Sequence, residues 1–405
     1  MKDFTLAEIA KACNGEYVGN ESLKNAKITS VERDSRQVKN GSLFLAIKGE
    51  RVDGHDFIEK CFAQGAVCAL CEKAPKNATK PCIVVPSTLD AVKKIGRAYR
   101  EKFDIPVIGI SGSVGKTSTK EMLYAVLSQK FKTHKTQGNL NNELGVPLTL
   151  LSMPEDTEAA VIEMGISDFG EMTRLSEMVQ PTICVLTIIG ECHLENLGDR
   201  DGVLKAKTEM FKNARENADF ILNGDDDKLS TVKTVNGKKP VFFGLDAKND
   251  FYAKNIKNSG DGKVLATLCF DNNNIDVEIP AIGTYMVTNA LAAAAAGKLL
   301  GLTDEEIANG VASYKTVGSR ANVINTGKIK IIDDCYNANP TSVRASLDTL
   351  SNLDGRKVAI LGDMKELGSE ELKLHFDTGV YAKSKDIGTV ITVGELAKEL
   401  AKGAD

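Results

Sequence analysis

The feature that most constrains the fold is the run Val107-Ile108-Gly109-Ile110-Ser111-Gly112-Ser113-Val114-Gly115-Lys116-Thr117-Ser118, where an apolar strand passes through a glycine-rich loop into an amphipathic stretch over 120–131. A strand fed into a helix N-terminus by such a loop opens a βα unit, and βα units assemble into parallel sheets covered by helices. Backbone N–H groups of the loop converge on anionic oxygens, and the helix start adds positive potential. Lys116 can neutralise a terminal phosphate, and the Thr117 hydroxyl can ligate Mg²⁺. Gly112, Ser113, Val114, Gly115, Lys116, Thr117 and Ser118 are therefore expected to cradle ATP. The spacing departs from the usual phosphate loop, because Ile110 stands where that loop has its first glycine and Gly112 takes its place. The plainer alternative is a Gly/Ser turn that only joins strand to helix.

Further along, apolar strands are expected at 106–110, 159–164, 182–189 and 220–222, alternating with helical stretches, so the fold class is α/β with a central parallel sheet covered on both faces. At 405 residues the chain exceeds what one core usually organises. Three domains are expected: 1–84, a small α/β unit; 85–314, the mononucleotide-binding core; and 315–405, a smaller Rossmann-like α/β unit. Helices are expected at 89–103 and 289–300, with a β-rich stretch over 240–279 between the sheet and the second of these. Thr303 and Glu306 form a capping box. Strands at 328–332, 357–361 and 389–393 build the last block.

A net charge of −4 offers no basic field for nucleic acid or an anionic membrane. No apolar run approaches the ~18 residues of a membrane span, and Asp3 and Glu8 stand where a signal peptide would be apolar. A cytoplasmic protein without membrane insertion is expected. Nine cysteines, an odd number, read as thiols. The close pair Cys68 and Cys71 lies in an apolar stretch and reads as core packing rather than zinc or redox chemistry.

Glu163 ends a strand, where ligand crevices of open parallel sheets lie, and is placed to hold a metal or, equally, to cap a helix or join a surface ion pair. His193 follows another strand as a second candidate ligand or a plain loop residue. Lys207 has Val203, Leu204, Met210 and Phe211 at helical spacing. A cation on an apolar stripe either snorkels or has a depressed pKa, and a neutral amine can be a base, a nucleophile or an acceptor of CO₂. Amides in 136–147, including Asn139, Asn141 and Asn142, suit a cleft loop or a capped turn. Asp334, Asn337 and Asn339 precede a helix opening at 341 or 342, which they could cap or hold to a ligand.

Taken in order, Asp34-Ser35-Arg36, Asp53-Gly54-His55-Asp56-Phe57, the loop 112–117, Gly138-Asn139-Leu140-Asn141-Asn142-Glu143, Glu163-Met164-Gly165, Tyr336-Asn337-Ala338-Asn339-Pro340 and Gly362-Asp363-Met364-Lys365-Glu366-Leu367-Gly368 resemble the Mur ligase family over nearly the whole chain. The segment 336–340 resembles the branch that joins UDP-N-acetylmuramoyl-tripeptide to D-alanyl-D-alanine. The resemblance implies an ATP-dependent amide ligase acting through an acyl phosphate in peptidoglycan precursor synthesis, working as a monomer. It implies substrate contacts at Ser35, Arg36, Asn139, Asn141, Asn142 and Asn339, and Mg²⁺ among Thr117, Glu163, His193 and Lys207, the lysine as a carbamate. It gives Lys116, Lys207 and His193 catalytic roles and places Asn289, Arg320, Asp334 and Asn337 around the nucleotide. Gly283-Thr284-Tyr285 departs from a common Gly-x-His pattern, and the family continues past residue 405, so the last block is expected to lack a strand and a helix. The rival readings are another Mur ligase, a folylpolyglutamate synthase-like ligase and a non-catalytic nucleotide-binding scaffold.

Overall fold

The computed structural model describes residues 1–259 and 262–405. At its centre six parallel strands run in the spatial order Val241–Phe243, Asp219–Asn223, Ile183–Leu186, Val107–Ser111, Ala159–Glu163 and Thr133–Lys135. The two edge strands are short and were not separable in the sequence from their surroundings. Strands in this sheet read as unbroken apolar runs because alternate side chains enter two different cores. Ile108, Ile110, Val161 and Ile183 pack with Met122, Leu123 and Val126 on one face. Val107, Ala160, Ile162 and Cys184 pack with Val92, Ile95, Leu150 and Leu175 on the other.

Helix Lys116–Leu127 covers the first face together with Tyr285–Leu299 and Asp304–Ala312. Seven consecutive buried residues, Ala290 to Ala296, include six alanines, small enough to let that helix lie close to its neighbours. An antiparallel sheet of Tyr252–Asn258, Val264–Phe270 and Asn273–Ile279 shares this core. Helices Thr88–Arg100, Gly145–Leu151 and Glu171–Val179 cover the second face. That core continues without a break into the N-terminal block through Phe4, Leu6, Leu43 and Leu70. There the sheet order is Glu16–Val18, Cys82–Val84, Cys68–Cys71, Ser42–Leu45 and Ser30–Glu32, with only the first pairing antiparallel. Cys68 and Cys71 are buried free thiols in it.

The C-terminal block is thinner. Lys330–Asp333 pairs antiparallel with Asn322–Asn325, whereas Val358–Gly362 and Thr389–Val393 form a separate parallel pair. The expected alternation of three strands is therefore split into a hairpin and a ribbon. Helices Pro340–Ser351, Glu371–Lys383 and Ala397–Ala404 flank them. Among the described residues no helix is long and apolar enough to cross a membrane.

Candidate active site

Strand order reverses beside Val107–Ser111, and ligands of open parallel sheets bind in the crevice at such a switch, outside the carboxyl ends of the strands. A cleft of about 820 Å³ opens there. Residues 113–117 form its floor, Asn139, Asn141, Asn142 and Glu163 one wall, His193 another, and Arg320, Asn337 and Asn339 of the C-terminal block its far side.

The two loop glycines are needed for different reasons. At Gly112, with φ +150°, a Cβ would stand 1.9 Å from Thr187 Oγ1, which is itself committed to Val114 O at 2.6 Å. At Gly115 the space is open, but φ is +83°, where L side chains are strained. Gly112 thus lets the loop pass tightly over Thr187, and this is why the glycine sits at 112 rather than 110. Ser113 Oγ donates to Gly190 O at 3.1 Å, and Gly190 N–H donates back to Ser113 Oγ at 2.9 Å, tying the loop to the segment that carries His193. The helix begins at Lys116, earlier than the amphipathic pattern suggested, so the N–H groups of its first turn face the cleft end of the loop.

Lys116 Nζ reaches back to Gly112 O at 2.8 Å and Ser113 O at 3.2 Å, and burial pushes its pKa down. Across the crevice Glu163 Oε1 accepts from Asn141 Nδ2 at 2.7 Å and Thr117 Oγ1 at 3.2 Å. Glu163 Oε2 and His193 Nδ1 are two of only three buried side-chain polar atoms without a hydrogen-bond partner among the described residues. The Glu366 carboxylate lies against His193 Nδ1 as an ion-pair partner. Burial lowers the His193 pKa, the Lys207 and Lys116 charges add to that, and Glu366 opposes it. Lys207 is 1% exposed, and burial lowers its pKa to about 8. The apolar stripe read from sequence therefore does bury the amine. The helix around it is Arg200–Thr208, with Met210 and Phe211 in a following 3₁₀ turn.

A carboxylate oxygen and a hydroxyl suit a hard divalent cation, and Glu163 Oε2, which has no hydrogen-bond donor, is a group such an ion could satisfy, with the His193 imidazole nearby already facing Glu366. Among the described residues no cluster of three or more His, Cys, Asp or Glu is arranged to hold a metal. That sparse set matches how Mg²⁺ usually binds, through one or two protein ligands with water and phosphate oxygens completing the shell.

Other expected residues lie outside the cleft lining. Asn289 sits behind the phosphate loop, where its Oδ1 accepts from Thr119 Oγ1 at 2.9 Å. Lys207, Gly112, Ser118 and Asp334 likewise do not line it. Asp334 accepts from the Ala321 N–H at 3.0 Å and so shapes the turn that presents Arg320, whose guanidinium stacks 3.9 Å from the Tyr336 ring centre. Asn339 lines the cleft and also caps helix Pro340–Ser351 by accepting from Ser342 N–H at 2.9 Å, so the helix opens one residue earlier than expected. Asn142 Oδ1 accepts from Leu144 N–H at 3.2 Å and Gly145 N–H at 2.8 Å, holding the turn that leads into helix Gly145–Leu151. Ser35 and Arg36 do not line this cleft, and Arg36 is ion-paired to Asp34 at 2.6 Å. In Asp53-Gly54-His55, His55 Nε2 accepts from Glu72 N–H at 2.9 Å, a role within the fold.

Sequence reasoning missed Lys120, buried beside Glu163, and Thr187 beneath the loop. Lys120 had a readable signal. It follows Lys116 by four residues and Thr117 by three, which places all three on one side of the helix.

Three family models match the chain: "Mur ligase family, catalytic domain" over 27–103, "Mur ligase middle domain" over 110–297 and "Mur ligase, glutamate ligase domain" over 319–405. The UDP-N-acetylmuramoyl-tripeptide–D-alanyl-D-alanine ligase of Bacillus subtilis is 37% identical over 99% of this chain and 87% of its own length. A crystal structure of MurF from Acinetobacter baumannii superposes with a TM-score of 0.91 at 33% identity, covering 100% of this chain and 88% of that one. The Thermotoga maritima MurF ligase, solved in complex with ADP, gives 0.82 at 30% identity over 92% of this chain and 86% of that one. This chain belongs to the Mur ligase family.

Proposed function

We propose that the protein is an ATP-dependent ligase that joins D-alanyl-D-alanine to UDP-N-acetylmuramoyl-tripeptide, a step in making peptidoglycan precursors. The observation that carries this is the loop 112–117 facing Glu163 across a cleft whose far side comes from the C-terminal block, on a chain similar along almost its whole length to ligases of that name. In this reading residues 1–84 hold the UDP end, with Ser35 and Arg36 near it. Residues 85–314 hold the nucleotide and 315–405 close the cleft, and the chain acts as a monomer in the cytoplasm.

The carboxylate of the tripeptide is a poor acyl donor until one oxygen becomes part of a good leaving group. That oxygen attacks the γ-phosphorus of ATP, the bond to ADP breaks, and an acyl phosphate forms. Lys116 and the N–H groups at the helix start hold the phosphate oxygens and offset the charge they carry in transfer. The free amine of D-alanyl-D-alanine then attacks the acyl carbon, phosphate leaves, and the nitrogen gives up its proton. Asn141 fixes the Glu163 carboxylate, while Asn139, Asn142 and Asn339 lie along the walls where the peptide would run. Arg320, held flat on Tyr336, and Asn337 face the nucleotide from the C-terminal block, with Asp334 shaping the Arg320 turn and Asn289 supporting the loop from behind. Closing that block over the cleft keeps water from the acyl phosphate.

Mg²⁺, when bound, would be held by Thr117, Glu163 and His193 and would spread the charge of the phosphate oxygens. Lys207, its amine made less basic by burial, is suited to add to CO₂ with loss of a proton, giving a carbamate that supplies another oxygen ligand. A ¹³C-bicarbonate-labelled resonance present in the parent and absent from Lys207→Met tests that modification.

ADP formation measured with UDP-N-acetylmuramoyl-tripeptide, with and without D-alanyl-D-alanine, tests the reaction. Pentapeptide product and ADP in equal amounts are expected. Turnover supported by a folate but not by the muramoyl peptide would instead place the chain with polyglutamate ligases, and nucleotide binding without product would make it a scaffold.

A further inference from the structure

Lys120 is 1% exposed. Its Nζ lies 3.2 Å from Glu121 Oε1 and 3.6 Å from Glu163 Oε2. The other Glu121 oxygen pairs with Lys135, whose ammonium also sits 3.9 Å from the centre of the Tyr124 ring. Two carboxylates and two ammoniums thus form one interior chain of charges, Lys135, Glu121, Lys120 and Glu163, with no net charge. Burying an unpaired ion is costly, so such a chain balances itself. Yet the Glu163 end is not an ordinary buried pair. Its Oε1 takes donors from Asn141 and Thr117 on the cleft side, while Oε2 has no hydrogen-bond donor and faces only the Lys120 charge.

One helical turn therefore carries three groups beside the crevice: Lys116, whose Nζ turns back to the loop carbonyls of Gly112 and Ser113, Thr117, which donates to Glu163 Oε1, and Lys120, whose charge lies against Glu163 Oε2 from the buried side. We infer that Lys120 is a positioning residue, a resident counter-cation that balances Glu163 before any metal arrives and makes divalent-cation binding depend on nucleotide phosphates. With Lys116, Lys120 and the helix N-terminus all positive nearby, a bare divalent ion meets repulsion. Phosphate oxygens reverse the sign of that field, so ion and nucleotide enter together. This rests on the reading of Glu163 as a metal ligand.

The test uses the full chain and Mn²⁺ as probe, with free Mn²⁺ followed by electron paramagnetic resonance and folding checked by melting. Without nucleotide, Lys120→Met is expected to bind Mn²⁺ at least tenfold more tightly than the parent, and Lys120→Arg within threefold of it. Lys120→Gln, which fills the space and can donate to both carboxylates, carries the same tenfold expectation should the Met variant not fold. A merely damaged site binds the ion more weakly, so the sign separates the two causes. Unchanged or weaker Mn²⁺ binding in the neutral variants overturns the inference. Mn²⁺ binding by the parent in the presence of ADP, and its loss in Glu163→Gln, tests the underlying metal reading separately.

Discussion

The central and C-terminal blocks solve the same problem, a strand bordered by helices, with very different margins. The central sheet is covered on both faces, and its strand ends are deep enough to bury Lys120, Glu163 and Lys207 and to half-bury Lys116. In the C-terminal block the ribbon of Val358–Gly362 and Thr389–Val393 leaves Ile360 69% and Val393 61% exposed. Its core is a handful of residues around Leu347 and Met364. The two blocks touch through polar contacts, such as Thr341 Oγ1 to Glu191 Oε2 at 2.8 Å and the Glu366 carboxylate against His193, and through Leu374, which packs against the central core. Charges can be held at fixed positions only where the surrounding packing is thick. The central block therefore carries the buried charges beside the cleft, and the C-terminal block contributes more exposed, hydrogen-bonded groups that complete it. A joint of that kind is compatible with relative motion of the two parts.

The largest expected effect falls in the central block. Lys116→Ala should lower ADP formation about 10³-fold with little change in melting temperature, the scale of removing one preorganised charge donor from a phosphoryl-transfer site; turnover near the parental rate would mean the loop is not the phosphate site. Gly112→Ala should follow, because its Cβ would meet Thr187 Oγ1. Nucleotide affinity measured by calorimetry should fall about tenfold or more, whereas Gly115→Ala, with open space around it, should cost only the roughly 1–2 kcal/mol of a left-handed backbone.

Stability separates the blocks more directly. Ile108→Ala, at a fully buried position of the central sheet, should destabilise by about 3 kcal/mol in denaturant unfolding. Ile360→Thr on the exposed ribbon should change it by less than about 0.5 kcal/mol. Equal losses at both positions would show that something covers that ribbon in solution.

A comparably small effect concerns an exposed pair in the N-terminal block. Hydrogen bonding and charge from Lys102, with the Thr5 N–H, lower the Glu8 pKa from 4.5 to about 2. A depressed carboxyl pKa contributes stability that is present above pH 4.5 and lost as pH falls from 4.5 to about 2. Glu8→Gln should therefore cost about 0.5 kcal/mol at pH 7, the scale of exposed pairs, and approach the parent near pH 2. A difference that persists unchanged across that range would assign the effect to the helix cap of Thr5 rather than to charge.

Much of this was legible in the residues. The βα opening at 107–118, the capping box at Thr303 and Glu306 and the strand Thr389–Val393 follow from local periodicity and cap chemistry, and the structure has each of them. Edge strand Thr133–Lys135 was not legible, because three residues carry too little periodicity to stand out from a loop, and Val241–Phe243 lay within the β-rich stretch expected over 240–279 without any sign that it joins the central sheet. The pairing of Lys330–Asp333 with its hairpin partner was hidden for another reason: which strand a segment joins depends on what else is nearby in space.

By itself the sequence determined the class of fold and the presence of a glycine-rich loop between strand and helix, since both depend on residues adjacent in the chain. It also determined that Lys207 lies on an apolar helix face. Only the tertiary structure decided that this face is fully buried, that Asn289 lies behind the loop, and that Lys120 ends opposite Glu163. Burial and electrostatic pairing are set by groups far apart in the chain, and their strength depends on how much water the assembled fold leaves between them.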